Sequence, residues 1–287
     1  MEMWMKRFDL VKITIVSIAF IVAVFGDEVA EARHRHRAAR PRTPIQRYGE
    51  IICNNPGYHC YTVGVTIKEM EVKRRGKVII VKKKSYDNWK NLWPDERERE
   101  IVMKLNRMSI GLRRGMIIAV PDDMTGKTYM DFSPYPQKIG PPGEKLLTWD
   151  PALMAWAAYN PDGSLLRWGP GVGGRDYCPD IGRQCRTMDG TFRILKKGGR
   201  SYRSSKYPVG CGKEREGKPK IPCATMPWYV RFEPTGGGFH GSPNVVGYNA
   251  SHGCVRCFTA DALWLNQEFA EIGTLVVIKP YPTPLPD

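Results

Sequence analysis

The chain has 287 residues, of which 42% are hydrophobic, so it can bury the core of one large domain or two modest ones and is not disordered throughout. Lys and Arg outnumber Asp and Glu by 44 to 29, which predicts attraction to polyanions. Nucleic acid, anionic lipid and an acidic cell-wall polymer all meet that condition, because the excess charge is spread along the chain.

The first 32 residues are predicted to be an export signal. Basic residues precede a mainly apolar run at 13–25, and the sequence Ala-Glu-Ala at 30–32 provides a cleavage site between small side chains. Such a run is short against the roughly 20 residues that a membrane-spanning helix needs. We therefore expect cleavage after Ala32, a location in the periplasm or cell wall, and contact with a membrane only during export.

Cysteine content supports an oxidising compartment. The chain contains eight cysteines, and three short spacings bracket turn-rich or Gly/Lys-rich loops. The expected disulfides are Cys53 with Cys60, Cys178 with Cys185, and Cys211 with Cys223. Buried unpaired thiols are the alternative that the sequence leaves open.

Changes of composition divide the rest of the chain. Residues 33–48 contain six arginines, two histidines and two prolines, and they predict a solvated basic linker. A small α/β module is expected at 49–130. A Pro/Gly linker follows at 131–145, then a second domain at 146–280 and a tail at 281–287.

The N-terminal module has the predicted order strand, helix, strand. Strand patterns occur at 61–67 and 78–81, a helix is expected over 95–105, and a last strand ends at Pro121. The stretch 88–121 resembles a degenerate LysM glycan-binding repeat. A packing module without a ligand fits the same pattern.

The second domain is predicted to be mainly β. Strand patterns occur at 153–159, 165–168, 191–195 and 228–232, separated by Asn-Pro-Asp-Gly and other glycine-rich turns. One amphipathic helix is expected near the C-terminus, with Thr259 as its cap.

A group of reactive residues lies between His240 and Arg256. A thiol with an ordinary pKa of about 8.5 is only a few per cent ionised at neutral pH, so a nucleophilic Cys254 needs an imidazole or positive charge nearby. Gly241 and Gly253 allow the backbone to approach closely and to present N–H groups to an oxyanion. Arg256 provides a positive charge for a carboxylate.

These residues resemble the signature of the L,D-transpeptidase catalytic domain, also called the YkuD domain. The matching motifs are His240-Gly241 and Ser-His-Gly-Cys-Val-Arg at 251–256, and the resemblance extends outward to Asp-Gly-Thr-Phe at 189–192. It covers about residues 146–280. The implied fold is mainly β (α+β), a β-sandwich with a helix after the nucleophile, preceded by the small α/β module.

The resemblance also implies a role for each residue. Cys254 is the expected nucleophile, His240 the proton donor and acceptor, and the Gly253 backbone part of the oxyanion hole. Substrate binding is expected of Arg256, Ser251, His252 and Gly241. The family's reaction attacks the L-centre carbonyl of diaminopimelate in a tetrapeptide stem, releases D-alanine and passes the acyl group to an amine. No metal and no organic cofactor is implied.

The expected partners follow from the same resemblance. They are peptidoglycan stem peptides and glycan, with an envelope protein as a further acyl acceptor. Nucleic acid is not expected, because export separates the protein from it and no groove-reading helix is evident. The alternative function is a non-catalytic peptidoglycan-binding envelope protein.

Other readings of the reactive residues stay open in the sequence. Cys254 and Cys257 form a Cys-x-x-Cys pair that suits redox chemistry, and with His240 and His252 they suit a zinc site. His252, beside the nucleophile, is a second candidate for the base.

The export signal gives the first testable prediction. The exported protein should lack residues 1–32 and begin at Arg33, because the apolar run is too short to be kept as an anchor. Intact-mass measurement of protein recovered from the envelope checks this, and a retained Met1 would contradict it.

Overall fold

The computed structural model describes residues 45–283. Contacts group the chain from Gln46 onward into one compact unit, which includes both predicted domains. The predicted signal at 1–32 and most of the linker at 33–48 lie outside the described residues. Within 45–283, no helix has the length and apolar character that crossing a membrane requires.

Small helices pack on a two-stranded sheet in the N-terminal part. Strands β1 (Tyr58–Thr62) and β4 (Ile117–Pro121) pair antiparallel. The Asp95 carboxylate accepts a hydrogen bond of 2.9 Å from the Glu98 N–H and begins the predicted helix. Three helices occur here: α1 (Tyr48–Ile52), α2 (Trp89–Leu92) and α3 (Glu96–Leu105).

A long hairpin is inserted between β1 and α2. Its strands β2 (Val65–Arg74) and β3 (Lys77–Tyr86) pair along ten residues each and form a separate sheet. Arg75 and Gly76 both have positive φ, 51° and 76°, as a two-residue type I′ turn requires. The predicted strand at 61–67 spans the end of β1 and the start of β2, and the predicted strand at 78–81 covers only part of β3. The hairpin was missed because the lysines obscure the alternation and Arg-Gly is not a usual hairpin turn.

The second half of the chain forms one nine-stranded sheet. Its order is β8-β13-β5-β6-β7-β12-β11-β10-β9, and it is antiparallel except for the pairs β5–β13 and β11–β12. The strands are β5 (Leu146–Asp150), β6 (Ala155–Tyr159), β7 (Leu165–Val172), β8 (Gly190–Arg193), β9 (Lys196–Lys197), β10 (Val230–Arg231), β11 (Gly238–Gly241), β12 (Val255–Cys257) and β13 (Leu275–Ile278).

This sheet curls so that its two ends share one core. Phe192 on the edge strand β8 lies 5.3 Å from Phe232, just after β10 near the other edge, measured between ring centroids. Trp149 and Trp156 from the middle of the sheet are fully buried in the same cluster. The predicted mainly β fold is confirmed.

One helix covers this core, and its start differs from the prediction. Helix α4 (Thr259–Trp264) continues as a π-helical turn, Leu265–Phe269. Phe258 occupies the N-cap position and Thr259 is the first helical residue, with no side-chain capping hydrogen bond. Only Phe258 separates β12 from the helix, so the end of the strand, rather than a capping hydroxyl, sets where the helix begins.

The stretch predicted as a Pro/Gly linker at 131–145 packs against the sheet. The buried Tyr135 donates from its hydroxyl to the Ala155 carbonyl at 2.7 Å, and Lys138 bridges to Ser164. The division into two domains at this stretch stays a prediction.

All three predicted disulfides are present: Cys53–Cys60, Cys178–Cys185 and Cys211–Cys223. The remaining two cysteines, Cys254 and Cys257, are unpaired, and Cys257 is fully buried. These disulfides fit the oxidising compartment that the cysteine content predicted.

A buried ion cluster joins the N-terminal part to the second half. The Asp261 carboxylate on α4 lies 3.0 Å from the Lys104 ammonium on α3 and 2.9 Å from the Arg167 guanidinium on β7. Asp261 and Lys104 are each about 1% exposed. Charges withdrawn from water to this extent depend on one another, because neither has solvent to replace its partner.

We expect Asp261→Asn to destabilise the protein by about 3 kcal/mol, because it removes the buried anion beside the buried Lys104 ammonium. Lys104 then keeps only the more exposed Glu100 carboxylate at 3.4 Å, and the half-buried Arg167 loses its partner. Glu144→Gln is the matched control: it also removes a carboxylate bound to an arginine, Arg193, but on the surface. Urea unfolding followed by circular dichroism measures both. Equal unfolding midpoints for Asp261→Asn and the control would contradict the role given to the cluster.

Candidate active site

A cleft of about 560 Å³ opens on one side of the second half of the chain. Residues drawn from 181–188, 202–207, 224–244 and 251–256 line it. Five of the predicted site residues are among them: His240, Ser251, His252, Cys254 and Arg256, together with the backbone of Gly253. Gly241 is the one predicted site residue that is not among the lining residues.

Parallel pairing of β11 and β12 brings the two halves of the signature together. The register aligns Phe239 with Val255 and His240 with Arg256. Cys254 immediately precedes β12 and is therefore next to Gly238, at the start of β11. Two motifs that are more than ten residues apart in sequence thus become neighbours in one cleft.

His240 is held in one orientation by the backbone. Its Nδ1 lies 2.9 Å from the Gly241 carbonyl oxygen, which only accepts, so Nδ1 carries the proton and Nε2 keeps its lone pair. Burial lowers the pKa of His240 to about 4, against the opposing effect of that hydrogen bond, and the charge of Arg256 lowers it further. The imidazole is therefore neutral at physiological pH and has a basic nitrogen available.

Cys254 is half-buried, and its thiol lies against the turn before β11. Its sulfur lies 3.6 Å from the Gly236 carbonyl oxygen, to which the thiol donates. Burial raises the pKa of Cys254 to about 11, although the Gly238 N–H and the positive charge of Arg256 both favour the thiolate. At neutral pH the pair in the resting site is thus a thiol and a neutral imidazole.

The backbone before the nucleophile forms a tight turn that requires glycine. Gly253 has a φ of +111°, which L side chains rarely adopt. The Ser251 hydroxyl accepts from the Gly253 N–H at 3.1 Å and donates to the Cys254 carbonyl. Ser251 is buried and fixes this turn, so its contact is with the nucleophile's backbone.

His252 is engaged with a different partner. Its Nε2 lies 2.8 Å from the nearer Asp180 carboxylate oxygen, and its ring lies 4.5 Å from that of Tyr207. Asp180 belongs to the loop that the Cys178–Cys185 disulfide closes. His240, with an unoccupied basic nitrogen, is therefore better suited to take a proton than His252.

Arg256 supplies a positive charge that faces the cleft. Burial lowers its pKa, and the ionisable groups that act on it are Cys254, Arg175 and Tyr248, none of which is a carboxylate. The cleft as a whole is cationic: Glu233 is the one acid among its described lining residues, against the basic Arg183, Arg186, Lys206, Arg231 and Arg256. A negatively charged ligand is favoured there.

Gly241 lies behind the histidine. Its carbonyl holds the His240 ring, and its N–H donates to the Pro227 carbonyl at 2.8 Å. A Cβ at this position would come 3.1 Å from the Thr259 Cα, so the glycine also lets β11 approach α4.

The sequence did not identify Glu233 as part of the site. The buried carboxylate accepts from the Thr235 N–H at 2.7 Å and from the Gly237 N–H at 3.0 Å. Burial acts to raise its pKa, but hydrogen bonds from Thr235 and Gly237 lower it overall. It therefore holds the turn whose Gly236 carbonyl contacts the nucleophile. In the sequence, the only indication of this role for Glu233 is its short spacing from Thr235 and Gly237.

Asp180 and the loop around Tyr207 were also missed. The hydrogen bond to His252 lowers the pKa of Asp180. Tyr207 and Lys206 reach the cleft from the segment that contains the Cys211–Cys223 disulfide. Neither residue is near the signature in sequence, so only the fold brings them to it.

Among the described residues, Cys254, Cys257, His240 and His252 do not form a cluster of metal-ligand atoms, and Cys257 is fully buried and does not line the cleft. Cys254 and Cys257 are not bonded to each other. The one cluster of metal-ligand atoms among residues 45–283 is Cys178, Asp180 and His252, and the Cys178 sulfur is already in a disulfide.

The site contains the groups that nucleophilic catalysis needs: a thiol, a neutral base, backbone donors and a fixed cation. Residues 144–278 match the model of the YkuD family, described as the L,D-transpeptidase catalytic domain. The match covers 135 of 287 residues (278 − 144 + 1), a little under half of the chain, and includes every strand from β5 to β13 and the whole cleft.

Several solved structures are similar to this chain. An L,D-transpeptidase from Xylanimonas cellulosilytica is 21% identical, with a TM-score of 0.44, over 64% of this chain and 79% of that one. The L,D-transpeptidase from Mycobacterium smegmatis is 22% identical, with a TM-score of 0.37, over 48% and 59%. That from Stackebrandtia nassauensis is 20% identical, with a TM-score of 0.39, over 52% and 62%. The chain thus spans about three fifths of the last two. No curated protein matches it.

The neutral resting pair predicts how Cys254 reacts with iodoacetamide. With a pKa of about 11, on the order of one thiol in ten thousand is ionised at pH 7. The alkylation rate should therefore rise about tenfold per pH unit from pH 7 to pH 10. Mass spectrometry locates the label, with Cys254→Ser as the blank. A rate that levels off between pH 5 and pH 8 would instead indicate a thiolate–imidazolium pair and would contradict this prediction.

Proposed function

We propose that this protein is a peptidoglycan L,D-transpeptidase, a cysteine acyltransferase that acts on tetrapeptide stems. The observation that carries the proposal is that Cys254 and a neutral His240 share one cationic cleft, within the stretch that matches the family model. The substrate class comes from the family resemblance, and the roles below come from the site.

Acylation begins when a substrate carbonyl reaches Cys254. The His240 Nε2 takes the thiol proton as the sulfur bonds to the carbonyl carbon, and the carbonyl oxygen becomes an oxyanion. Collapse breaks the bond to the leaving D-alanine nitrogen, which receives the proton from His240. A thioester to Cys254 remains. An acceptor amine then attacks it, His240 removes the amine proton, and the proton returns to the departing sulfur.

Backbone N–H groups of Cys254 and Gly253 are the proposed donors to the oxyanion. The Gly253 N–H donates to the Ser251 hydroxyl in the resting site, so it would have to share that hydrogen bond with the oxyanion, whereas the turn at Gly253 fixes the direction of the Cys254 N–H. Donors that are fixed in advance need no reorganisation when charge develops, which is the main advantage of such a site. The strained Gly253 backbone, at φ +111°, fixes their direction.

Arg256 is proposed to bind a carboxylate of the stem peptide. Its positive charge has no acidic partner among the groups that act on it, and a stem peptide carries several carboxylates. His252 and Gly241 would support binding indirectly, through Asp180 and through the His240 ring. In this arrangement Arg256→Gln raises KM more than it lowers kcat.

Compartment and glycan contact are parts of the same proposal. Export to the periplasm or cell wall, supported by three disulfides, would bring the enzyme to peptidoglycan. The LysM-like module would add contact with glycan. An envelope protein is the further acyl acceptor proposed in place of a second stem, because the same thioester can be attacked by the amine of either.

The decisive test is incubation of the purified protein with disaccharide-tetrapeptide, followed by mass spectrometry. Wild-type protein should release D-alanine, and Cys254→Ser should lose more than about a thousandfold of that rate. Cys257→Ala is the matched control, since this second unpaired cysteine is buried away from the cleft and should leave turnover largely intact. The accompanying product, dimer, exchanged stem or tripeptide, identifies the acceptor as stem amine, free D-amino acid or water.

Two further variants test the assignment of the base. His240→Ala should lose roughly a hundredfold to ten-thousandfold of the rate, and His252→Ala much less. The reverse order would assign the base to His252. No turnover and no acyl-enzyme from folded wild-type protein would sink the proposal and favour a non-catalytic peptidoglycan-binding protein.

A further inference from the structure

The β2–β3 hairpin stands apart from the rest of the fold. In residues 45–283, no third strand pairs with it. Its base is fixed, because the Tyr61 hydroxyl and the Gly64 N–H donate to the Asp87 carboxylate at 2.8 and 2.7 Å. Ten residues of strand extend about 33 Å. The result is an anchored arm with two open faces.

Both faces carry exposed apolar side chains, but only on one of them are these side chains contiguous. On the other face, Ile67, Val78 and Ile80 are 58%, 53% and 64% exposed, and each is opposite a charged residue. Paired residues of an antiparallel ladder project from the same face, and that face recurs at every second residue. Met70 is opposite Val81, and Val72 is opposite Ile79, so four apolar side chains are contiguous. Met70, Ile79 and Val81 are 47%, 39% and 42% exposed. We call these four residues the apolar face.

Charge is distributed unequally between the two faces. Residues 65–86 contain eight Lys and Arg and two Glu, a net charge of +6. The exposed pair Arg74 and Lys77 continues the apolar face toward the turn. The two glutamates, Glu69 and Glu71, are on the opposite face, where Glu69 lies 3.4 Å from Lys82. The apolar face is therefore bordered by cations on its turn side.

We propose that the apolar face of this hairpin docks on a bilayer surface that contains anionic phospholipid. At the boundary between headgroups and acyl chains, apolar side chains leave water while lysine and arginine remain beside phosphates. This proposal goes beyond the transpeptidase function and does not depend on it. It replaces the expectation that the protein meets a membrane only during export.

Other occupants fit the hairpin less well. A second copy carries the same +6 charge, and the basic stretch 33–48, with its six arginines, has the same sign, so both would be repelled. A nucleic acid or an anionic polysaccharide would pair with the cations but would leave the four apolar side chains against water or polar groups. An anionic lipid surface satisfies both features.

The test uses a polarity-sensitive fluorophore on the full chain. It is attached in a Cys254→Ser background, so that the nucleophile is not labelled, at Ile79→Cys on the apolar face or at Ile80→Cys on the other. Ile79 and Ile80 are adjacent and both exposed, so the fluorophore at one position is the control for the fluorophore at the other. Because the readout is local, an N-terminal apolar run that also binds lipid does not produce it.

Vesicles of phosphatidylglycerol and phosphatidylcholine should shift the emission to the blue at position 79 and leave position 80 nearly unchanged. Vesicles of phosphatidylcholine alone should have little effect, and about 1 M salt should abolish the shift. Adding Arg74→Gln and Lys77→Gln should weaken the apparent affinity roughly thirtyfold.

Three results would overturn the proposal. They are no shift at position 79 with anionic vesicles, an equal shift at both positions, or a shift without lipid. In the last case, dependence on protein concentration would indicate self-association. Dependence on added duplex DNA would indicate a nucleic-acid surface.

Discussion

The site depends on the parallel pairing of β11 and β12. Without it, His240 and Cys254 belong to two separate loops, and nothing local would align them. Parallel neighbours need a crossover that leaves the end of one strand and returns across the sheet to the start of the next. Here thirteen residues, 242–254, make that return and end in the turn at Gly253. The crossover that makes the pairing possible therefore also places the nucleophile, Cys254, immediately before β12.

Burial then sets the chemistry of the pair. The same low-dielectric surroundings lower the pKa of His240 to about 4 and raise the pKa of Cys254 to about 11, because both charged forms lose water. The resting site is uncharged at these two groups. Activation therefore requires the proton to move as the carbonyl is attacked, and the free enzyme exposes little thiolate to oxidants or other electrophiles. Arg256 and the Gly238 N–H oppose the burial effect and are available to stabilise the thiolate when it forms.

The sequence predicted the parts of the fold and site that depend on local pattern. Short cysteine spacings predicted all three disulfides, because such loops close with little strain, and alternating strands between glycine turns predicted a mainly β domain. The compact signature predicted which residues would share a site. What could not be read were contacts between distant segments, such as Asp180 with His252 and the turn held by Glu233. Sheet order and curl create these contacts, and neither has a local pattern. The prediction that Thr259 caps the last helix was wrong for a related reason, because the end of the preceding strand sets where that helix begins.

The buried ion cluster changes how the N-terminal part should be regarded. A binding module on a flexible tether shares few contacts with its neighbour, but Lys104 on α3 meets Asp261 on α4, two positions into the helix that follows the nucleophile strand. The Tyr48 N–H also donates to the Gly247 carbonyl at 2.7 Å, within the crossover that delivers Cys254. Removing the N-terminal part would expose Asp261 and loosen that crossover together. The N-terminal part is consequently a component of the active-site scaffold, whatever else it binds.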